Sequence, residues 1–373
     1  MAKRGDTLLL GTRKGLFLFD RKGGDWRLAG VSFLGIPISY AMIDQRTGVL
    51  WAGQDHGHWG AKLSRSRDRG KTWEEVPAPK YPEGEVIKNS MMSVDPKAPE
   101  KPATLRYIWC ISPGGNDEPN RLYIGTEPGG LFVSEDGGDA WTLNRPLWDH
   151  PSRLAGQWFG GGRDHAGIHS IIVDPHDSRR ILVGVSCAGT FETTDGGKSW
   201  TVRNNGLKSS FLPEPNPEVG HDPHLVVMCP GNTKHLWQQN HCGIWKSDDD
   251  GRSWVQVSEK DGPANFGFAV AVDENDPKQA WVAPAVSDEC RVAVNGALCL
   301  SRTTDGGRTW RALREGLPQE QCYDVVFRHC LDKAGEALAF GTTTGNVYYS
   351  NDCGDHWKCL GNHFPLVYSL RFA

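Results

Sequence analysis

Three histidines, His169, His224 and His241, are the residues of this chain best suited to bind a metal. Neutral imidazoles are common ligands of zinc, iron and manganese, and three of them leave open positions for water or a substrate. The sequence therefore predicts one divalent metal (Zn, Fe or Mn) and no other cofactor. The alternative is that all three are solvated polar residues, because no HxxxH-type spacing links them.

Three charged residues are candidates for catalysis. Glu127 is suited to act as a general base or a fourth metal ligand. Arg13 and Arg291 are suited to hold a carboxylate or phosphate through paired hydrogen bonds. The alternative is that these arginines only form surface ion pairs with acidic neighbours such as Asp55 or Asp288.

A repeated eight-residue phrase supplies the framework for these residues. At Thr193–Trp200 it reads TTDGGKSW, and its frame is Ser/Thr-x-Asp-x-Gly-x-Ser/Thr-Trp. An Asp that binds turn amides, a Gly that tolerates positive φ and a Trp that packs behind them predict a β-hairpin turn. Successive copies lie between 47 (352 − 305) and 68 (136 − 68) residues apart, which fits a four-stranded blade. The aspartates of the copies are Asp68, Asp136, Asp195, Asp249, Asp305 and Asp352.

The phrase resembles the Asp-box (BNR) repeat of sialidases, sortilin-type receptors, xyloglucanases and a photosystem II assembly factor. The chain also resembles bacterial single-domain Asp-box propellers that are often labelled sialidase-like, through its phrases GTRKG, EPGGLF and QNHCG. Both resemblances imply an all-β propeller. They imply no particular activity, because the repeat forms a structural turn on the outer strands.

We predict seven blades in a single domain spanning residues 1–373. The phrase GTRKGLFLF from Gly11 matches GTTTGNVYY from Gly341, so residues 7–30 supply three strands of a seventh blade. Residues 366–373 have the pattern of its missing inner strand, and their pairing would close the ring. A six-bladed ring, as in sialidases, is the alternative, and it leaves residues 1–30 unexplained.

Aligning the blades predicts two rings of side chains at one mouth of the central channel. Their residue types differ in almost every blade, which indicates a site rather than structural repetition. The ring at the starts of the inner strands comprises Ser39, Tyr107, His169, His224, Phe268, Tyr323 and Tyr368. The ring at the ends of the second strands comprises Arg13, Asp55, Glu127, Ser186, His241, Thr343 and a residue within 287–291.

Long connections and exposed aromatic residues add to this prediction. Three connections, 77–104, 145–166 and 204–221, are longer than the others and would overhang one side of the mouth as lids. Aromatic residues in and near them are suited to stack on a sugar or another flat ligand, or else to pin the loops in place. These residues are Trp59, Trp148, Trp158, Phe159, Phe211, Phe266 and Phe268.

The sialidase resemblance implies a Tyr nucleophile activated by Glu, a role that Tyr107 with Glu127 would fill. However, the Arg-Ile-Pro signature of that family is missing, and xyloglucanase-type cleavage needs two facing Asp and usually two propellers. We therefore predict a metal-assisted hydrolase or lyase that acts on a small polar or carbohydrate-like substrate. A non-catalytic binding or assembly scaffold is the alternative, and a true glycosidase is less favoured.

The composition of the chain limits the classes of partner that it is expected to bind. Lys+Arg total 41 against 45 Asp+Glu, a net charge of −4, which does not favour nucleic acid or anionic membranes as partners. A protein partner is compatible with this balance. The N-terminal residues form no signal peptide or membrane span, and the ten cysteines show no CxxC pair, so a reducing cytoplasm is expected.

Overall fold

A computed structural model describes residues 5–93, 95, 97–258 and 262–373. Almost all regular structure is β. In chain order the strands are β1 (Thr7–Thr12), β2 (Gly15–Lys22), β3 (Asp25–Ser32), β4 (Ile38–Ile43), β5 (Leu50–Asp55), β6 (Ala61–Ser66), β7 (Glu74–Val76), β8 (Val86–Ile87), β9 (Lys101–Pro102), β10 (Tyr107–Pro113), β11 (Leu122–Glu127), β12 (Leu131–Ser134), β13 (Thr142–Leu143), β14 (Ile168–Asp174) and β15 (Asp177–Val185). They continue with β16 (Gly189–Thr193), β17 (Thr201–Val202), β18 (Pro223–Met228), β19 (Leu236–Asn240), β20 (Gly243–Ser247), β21 (Val255–Gln256), β22 (Gly267–Val272), β23 (Ala280–Pro284), β24 (Leu300–Thr303), β25 (Arg311–Leu313), β26 (Leu331–Ala334), β27 (Ala337–Gly341), β28 (Val347–Ser350), β29 (Lys358–Gly361) and β30 (Val367–Phe372).

Seven four-stranded antiparallel sheets form the blades of a propeller. Six of them take four consecutive strands each, beginning at β4, β10, β14, β18, β22 and β26. The remaining sheet has the order β3-β2-β1-β30, so the last strand of the chain completes the first blade. The prediction of a seven-bladed all-β propeller is confirmed, and the six-bladed alternative is wrong.

The ring closes through backbone pairing of the two ends of the chain. Leu8 pairs with Phe372 and Leu10 with Leu370 in an antiparallel register. Both leucines are fully buried, so the closing strand also carries part of the apolar core. Pairing of this kind leaves no exposed inner edge on the first blade.

The repeated turns lie between the third and fourth strands of their blades. At Thr193–Trp200, the Asp195 Oδ1 accepts hydrogen bonds from the backbone amides of Lys198 and Ser199 at 2.9 and 3.0 Å. The Thr193 hydroxyl donates to the same oxygen at 2.7 Å. The turn is thereby held by its own side chains.

At four of the six turns, the indole nitrogen of the final tryptophan donates a hydrogen bond to the previous blade. The Nε1 of Trp200 donates to the side chain of Asn144, which lies just after β13, at 2.9 Å. The Nε1 of Trp254 donates to the carbonyl of Arg203, just after β17, at 2.8 Å. Both indoles are buried. The turn therefore holds neighbouring blades together as well as its own hairpin.

The three long connections differ in structure. Connection 77–104, described except at residues 94 and 96, contains the β8–β9 pair. Connection 145–166 contains two single-turn helices, α1 (Arg145–Trp148) and α2 (Pro151–Leu154). Two 3-10 turns also occur, at Gly57–Trp59 and Val294–Gly296. Among the described residues, no helix has the length and apolar character needed to span a membrane.

Candidate functional site

A cavity of about 420 Å³ opens at one mouth of the central channel. It mixes aromatic rings with charged side chains, a lining that suits a polar ligand with apolar faces. The residues that line it include Ser39, Tyr107, Trp109, Phe159, Gly161, Gly162, Arg163, Ser186, Cys187, Phe211, Asp222, His224, His241, Phe266, Phe268, Asp288, Arg291, Phe327, Arg328, His329 and Tyr368.

Bulges in the inner strands place several of these side chains. The register of β4, β10 and β18 against the neighbouring strand shifts across Ser39, Trp109 and His224 respectively. An extra residue in a strand redirects its side chain, and here each of the three lines the cavity. The aligned position in β10 is therefore Trp109 rather than the predicted Tyr107, although both residues line the cavity.

Asp222, His224 and His241 form the tightest group of metal-binding side chains in the described part of the chain. One potential ligand atom from each lies within 4.8 Å of the other two. Asp222 Oδ2 is 3.5 Å from His224 Nε2 and 3.7 Å from His241 Nδ1. Asp222 and His224 are buried, while His241 is partly open to the cavity.

Each member of this group also has a partner on its far side. His224 Nδ1 lies 2.6 Å from the carbonyl oxygen of Gly267, so it must carry the proton and donate. The backbone amide of Cys187 donates to Asp222 Oδ1 at 3.2 Å. His241 Nε2 lies 3.3 Å from Asp288 Oδ2, at the more exposed side of the cavity. These contacts fix the orientation of all three side chains.

Burial and neighbouring charges shift the pKa values of His241 and Asp222. Burial lowers the pKa of His241, which favours the neutral imidazole, although the nearby Asp222 opposes that shift. Burial alone would raise the pKa of Asp222, but its contact with His224 and the charge of Arg328 lower the pKa below its usual range. Asp222 is therefore a carboxylate at neutral pH.

The sequence analysis missed Asp222, and one local signal pointed to it. Asp222 precedes His224 by two residues at the beginning of β18, and alternate residues of a strand lie on one face. The alignment of blades compared one position per strand and so passed over the Asp-x-His pair. The prediction grouped His169 with His224 and His241, whereas the structure brings Asp222 next to these two histidines.

His169 lies apart from the other two histidines. It is 1% exposed, its Nδ1 is 3.0 Å from the Ser170 hydroxyl, and its Nε2 has no hydrogen-bond partner among the described residues. Its ring lines a cavity deeper in the channel, and the Nε2 of His329 lies 2.8 Å from its carbonyl oxygen. The ring centroid of Trp109 lies 6.5 Å from that of His169.

Arg328 is the second residue that the sequence analysis missed. Its guanidinium carbon lies 4.7 Å from the ring centroid of Trp109, and its Nε has no hydrogen-bond partner among the described residues. Burial lowers its pKa, and Asp222 opposes that shift. In this blade the inner strand β26 begins only at Leu331, so the non-strand residues before it reach the cavity. The predicted ring member, Tyr323, is 65% exposed and lies outside the cavity lining.

Two of the four predicted catalytic residues line the cavity. Arg291 lies with its guanidinium carbon 5.4 Å from the centroid of Phe268, and its Nε donates to the carbonyl of Asp288 at 2.9 Å. Tyr107 is buried beneath Arg163, 4.3 Å from the guanidinium carbon to the ring centroid. Burial raises the pKa of Tyr107, so its phenol stays protonated at neutral pH.

The other two lie outside the cavity. Glu127 is 2% exposed and is ion-paired with Arg163, beside a neighbouring rim cleft that also includes Asp55. Arg163 borders both spaces, so Glu127 is one side chain away from the cavity. Arg13 occupies the exposed turn between β1 and β2, where its backbone amide donates to Leu366, and its side chain is not part of the lining.

Two of the three predicted lids reach the cavity. Connection 145–166 contributes Phe159 and Arg163, and connection 204–221 contributes Phe211, whose ring centroid is 4.9 Å from that of His241. The described part of connection 77–104 contributes no residue to the lining and borders a separate pocket instead.

Among the predicted aromatic residues, four line the cavity and two are core residues. The lining members are Phe159, Phe211, Phe266 and Phe268. Trp148 and Trp158 are buried, and their indole nitrogens donate to side chains of the long connections, so they hold those loops in place. Trp59 is 70% exposed and lies outside the cavity lining.

Several known proteins are similar to this chain in sequence. No family model matches the chain. A xyloglucanase of Paenibacillus sp is 26% identical over 348 residues, covering 86% of this chain and 30% of that protein. An oligoxyloglucan-reducing end-specific xyloglucanase of Emericella nidulans is 24% identical, covering 83% of this chain and 37% of that protein. The chain thus spans about a third of the length of the curated relatives it matches.

Solved structures show the same fold. The GH74 xyloglucanase from Xanthomonas campestris superimposes with a TM-score of 0.62 at 18% identity, covering 95% of this chain and 52% of that one. YCF48 from Cyanidioschyzon merolae superimposes with a TM-score of 0.54 at 16% identity, covering 99% of this chain and 92% of that one. These likenesses extend over the whole ring of blades.

The names of these relatives correct the functional prediction. A metal-assisted hydrolase or lyase outside the glycosidases was expected, yet the curated relatives described above are named xyloglucanases. The expectation that glycosidase activity is disfavoured is therefore wrong. The matched proteins named above are xyloglucanases and YCF48, and none of them is named a sialidase.

Proposed function

We propose that this chain is a glycoside hydrolase that binds its carbohydrate in the cavity at the channel mouth. The observation that carries the proposal is the similarity to xyloglucanases over 86% and 83% of the chain. The cavity supports it, because it combines aromatic rings with carboxylates at a single opening. Sugars present apolar C–H faces and polar hydroxyl edges, and this lining offers a partner for each.

The aromatic side of the cavity would bind the sugar faces. Phe211 and Phe266 lie on either side of His241, with ring centroids 4.9 and 5.9 Å from the imidazole. Phe268 continues the same wall beneath Arg291. Arg291 and Arg163 would donate hydrogen bonds to ring hydroxyls, which is a binding role rather than a catalytic one.

The charged side would cleave the bond. Glycoside hydrolysis generally needs two carboxyl groups, one to protonate the leaving oxygen and one to activate water or attack the sugar. We consider three carboxylates as candidates, Asp222 and Asp288 in the cavity and Glu127 behind Arg163. Asp288, with a side chain 43% exposed, is our candidate for proton donor, because it is the most accessible of the three. Glu127 or Asp222 would supply the second group.

The test is release of reducing ends from xyloglucan by the full chain. We expect hydrolysis, and we expect Asp288→Asn to lower kcat by about 10²–10⁴-fold, the usual contribution of one acid–base group. Glu127→Gln and Asp222→Asn are assayed in parallel. The variant whose loss of kcat is comparable to that of Asp288→Asn identifies the second carboxylate. Asp25→Asn, on the exposed turn into β3, is the matched control and should keep full activity.

Two results would contradict the proposal. One is a folded, purified chain that releases no reducing ends from xyloglucan or from other neutral glycans. The other is hydrolysis that persists unchanged in Asp288→Asn and in both partner variants, because catalysis would then lie away from this cavity.

A further inference from the structure

We propose that Asp222, His224 and His241 bind one divalent transition-metal ion at the side of the mouth cavity. The ligand atoms would be Asp222 Oδ2, His224 Nε2 and His241 Nδ1. This inference goes beyond glycoside hydrolysis and does not depend on it, because it concerns an ion held by this chain whatever ligand fills the cavity.

The spacing of the three atoms suits a metal. Around an ion with tetrahedral bonds of about 2.1 Å, neighbouring ligand atoms lie roughly 3.4 Å apart. Asp222 Oδ2 is 3.5 Å from His224 Nε2 and 3.7 Å from His241 Nδ1, and the three residues each offer one ligand atom within 4.8 Å of the other two.

The hydrogen-bond partners leave the correct atoms free to bind. His224 Nδ1 donates to the Gly267 carbonyl at 2.6 Å, so in the neutral ring the lone pair is on Nε2, which faces Asp222. Two electron-rich atoms then face each other inside the protein. A cation between them turns this repulsion into two bonds.

The other two ligands are supported in the same manner. His241 turns Nδ1 toward Asp222 and Nε2 toward Asp288 Oδ2 at 3.3 Å, which is the carboxylate–histidine–metal arrangement of many metalloproteins. Asp222 Oδ1 accepts from the Cys187 amide at 3.2 Å, leaving Oδ2 for the ion. Each ligand therefore has one group that orients it.

The donor set indicates which ions fit. Two imidazoles and one carboxylate suit zinc, iron, cobalt or manganese, whereas calcium and magnesium prefer oxygen ligands alone. Three protein ligands leave at least one coordination position open. That position faces the cavity, where a sugar hydroxyl or water would occupy it.

With Asp222 assigned to the metal, the proposed hydrolysis would use Asp288 together with Glu127. The ion would orient the carbohydrate, and the two remaining carboxylates would act on its glycosidic bond.

The test is titration of Zn²⁺ and Co²⁺ into the chelator-treated full chain, followed by calorimetry and, for Co²⁺, by visible absorption. We expect one ion per chain and a Co²⁺ spectrum typical of nitrogen and oxygen ligands. Asp222→Asn, His224→Gln and His241→Gln should each weaken binding by at least about 100-fold, more than the loss of an outer-shell partner usually costs. His58→Gln, an exposed histidine elsewhere on the surface, should bind like the parent.

Folding is followed for each variant by thermal melting without metal. If burial makes His224→Gln unstable, His241→Gln still decides the question, because His241 lies at the open edge of the cavity. The inference is overturned if the parent binds no ion, or if His241→Gln and Asp222→Asn bind as tightly as the parent. The assay contains no sugar, so a chain that binds Zn²⁺ but cleaves nothing contradicts only the proposed hydrolysis.

Discussion

The repeated turns and the channel mouth of this propeller differ in how far their residues recur from blade to blade. In the turns between the third and fourth strands, the same Asp, Gly and Trp recur from blade to blade, and the Asp accepts the same backbone hydrogen bond, as at Asp195 and Asp305. At the channel mouth, equivalent positions hold Ser39, Trp109, His224 and Phe268. Repeated residues maintain the ring, and varied residues line the opening at which we propose that the carbohydrate binds. Substitutions in the repeated turns should lower stability, and substitutions at the channel mouth should lower function.

The largest effect is expected where the ring closes. Deleting residues 366–373 removes β30, unpairs β1 and exposes Leu8 and Leu10. We expect the truncated chain to lose cooperative unfolding, because an open ring exposes a sheet edge and its core. Thermal melting by circular dichroism measures this, and a truncated chain that melts like the full one would contradict the closure.

The next effect is expected at a repeated turn. Trp200 is 9% exposed and its Nε1 donates to Asn144 of the preceding blade at 2.9 Å. Trp200→Ala should lower the free energy of unfolding by about 3–5 kcal/mol, the usual cost of removing a large buried ring. Val255→Ala, at a side chain 65% exposed, should change it by less than about 0.5 kcal/mol. If urea titrations show that Trp200→Ala loses no more free energy of unfolding than Val255→Ala, the turn tryptophan has no structural role.

A smaller effect is expected from acid. Hydrogen bonds from Thr72 and Thr309 lower the pKa of Asp68 and of Asp305 to about 2. A carboxyl whose folded pKa is depressed stabilises the fold above its unfolded pKa of about 3.9, and that stability is lost as pH falls toward 2. The urea midpoint should therefore decline between pH 4 and pH 2, and less steeply in Asp305→Asn. The exposed Asp25→Asn should follow the parent, and identical profiles for all three proteins would contradict this account.

The smallest effect on stability is expected at the mouth. Asp288→Asn changes a half-exposed side chain and should shift the free energy of unfolding by no more than about 0.5 kcal/mol. The same variant should lose most of the proposed hydrolysis. A destabilisation as large as that of Trp200→Ala would contradict the contrast between the repeated turns and the channel mouth.

The fold was predictable because its signals are local and repeated. The turn phrase needs only eight consecutive residues, and the match between the segments at Gly11 and Gly341 revealed the seventh blade. Alternation within residues 366–373 then identified the strand that pairs with β1. None of these inferences required knowing where a side chain points.

The site was predictable only in part, because side-chain direction depends on bulges and irregular segments. His224 and His241 were placed correctly in one cavity, but His169 lies deeper in the channel. Arg328 reaches the cavity from the residues before β26, where the pattern of an inner strand fails. A cluster of side chains is a tertiary feature, so matching one position per blade found His224 and His241 and missed Asp222 beside them.

The most direct test of the contrast between the two faces is calorimetric binding of a xyloglucan oligosaccharide to a pair of variants. Phe211→Ala removes a mouth ring from a loop, and Ser199→Ala removes a turn hydroxyl that donates to Asp195 at 2.6 Å. We expect Ser199→Ala to bind like the parent and Phe211→Ala to bind at least about tenfold more weakly, the value of one aromatic contact. Parent-like binding by Phe211→Ala, or a comparable loss in Ser199→Ala, would contradict the assignment of function to the mouth.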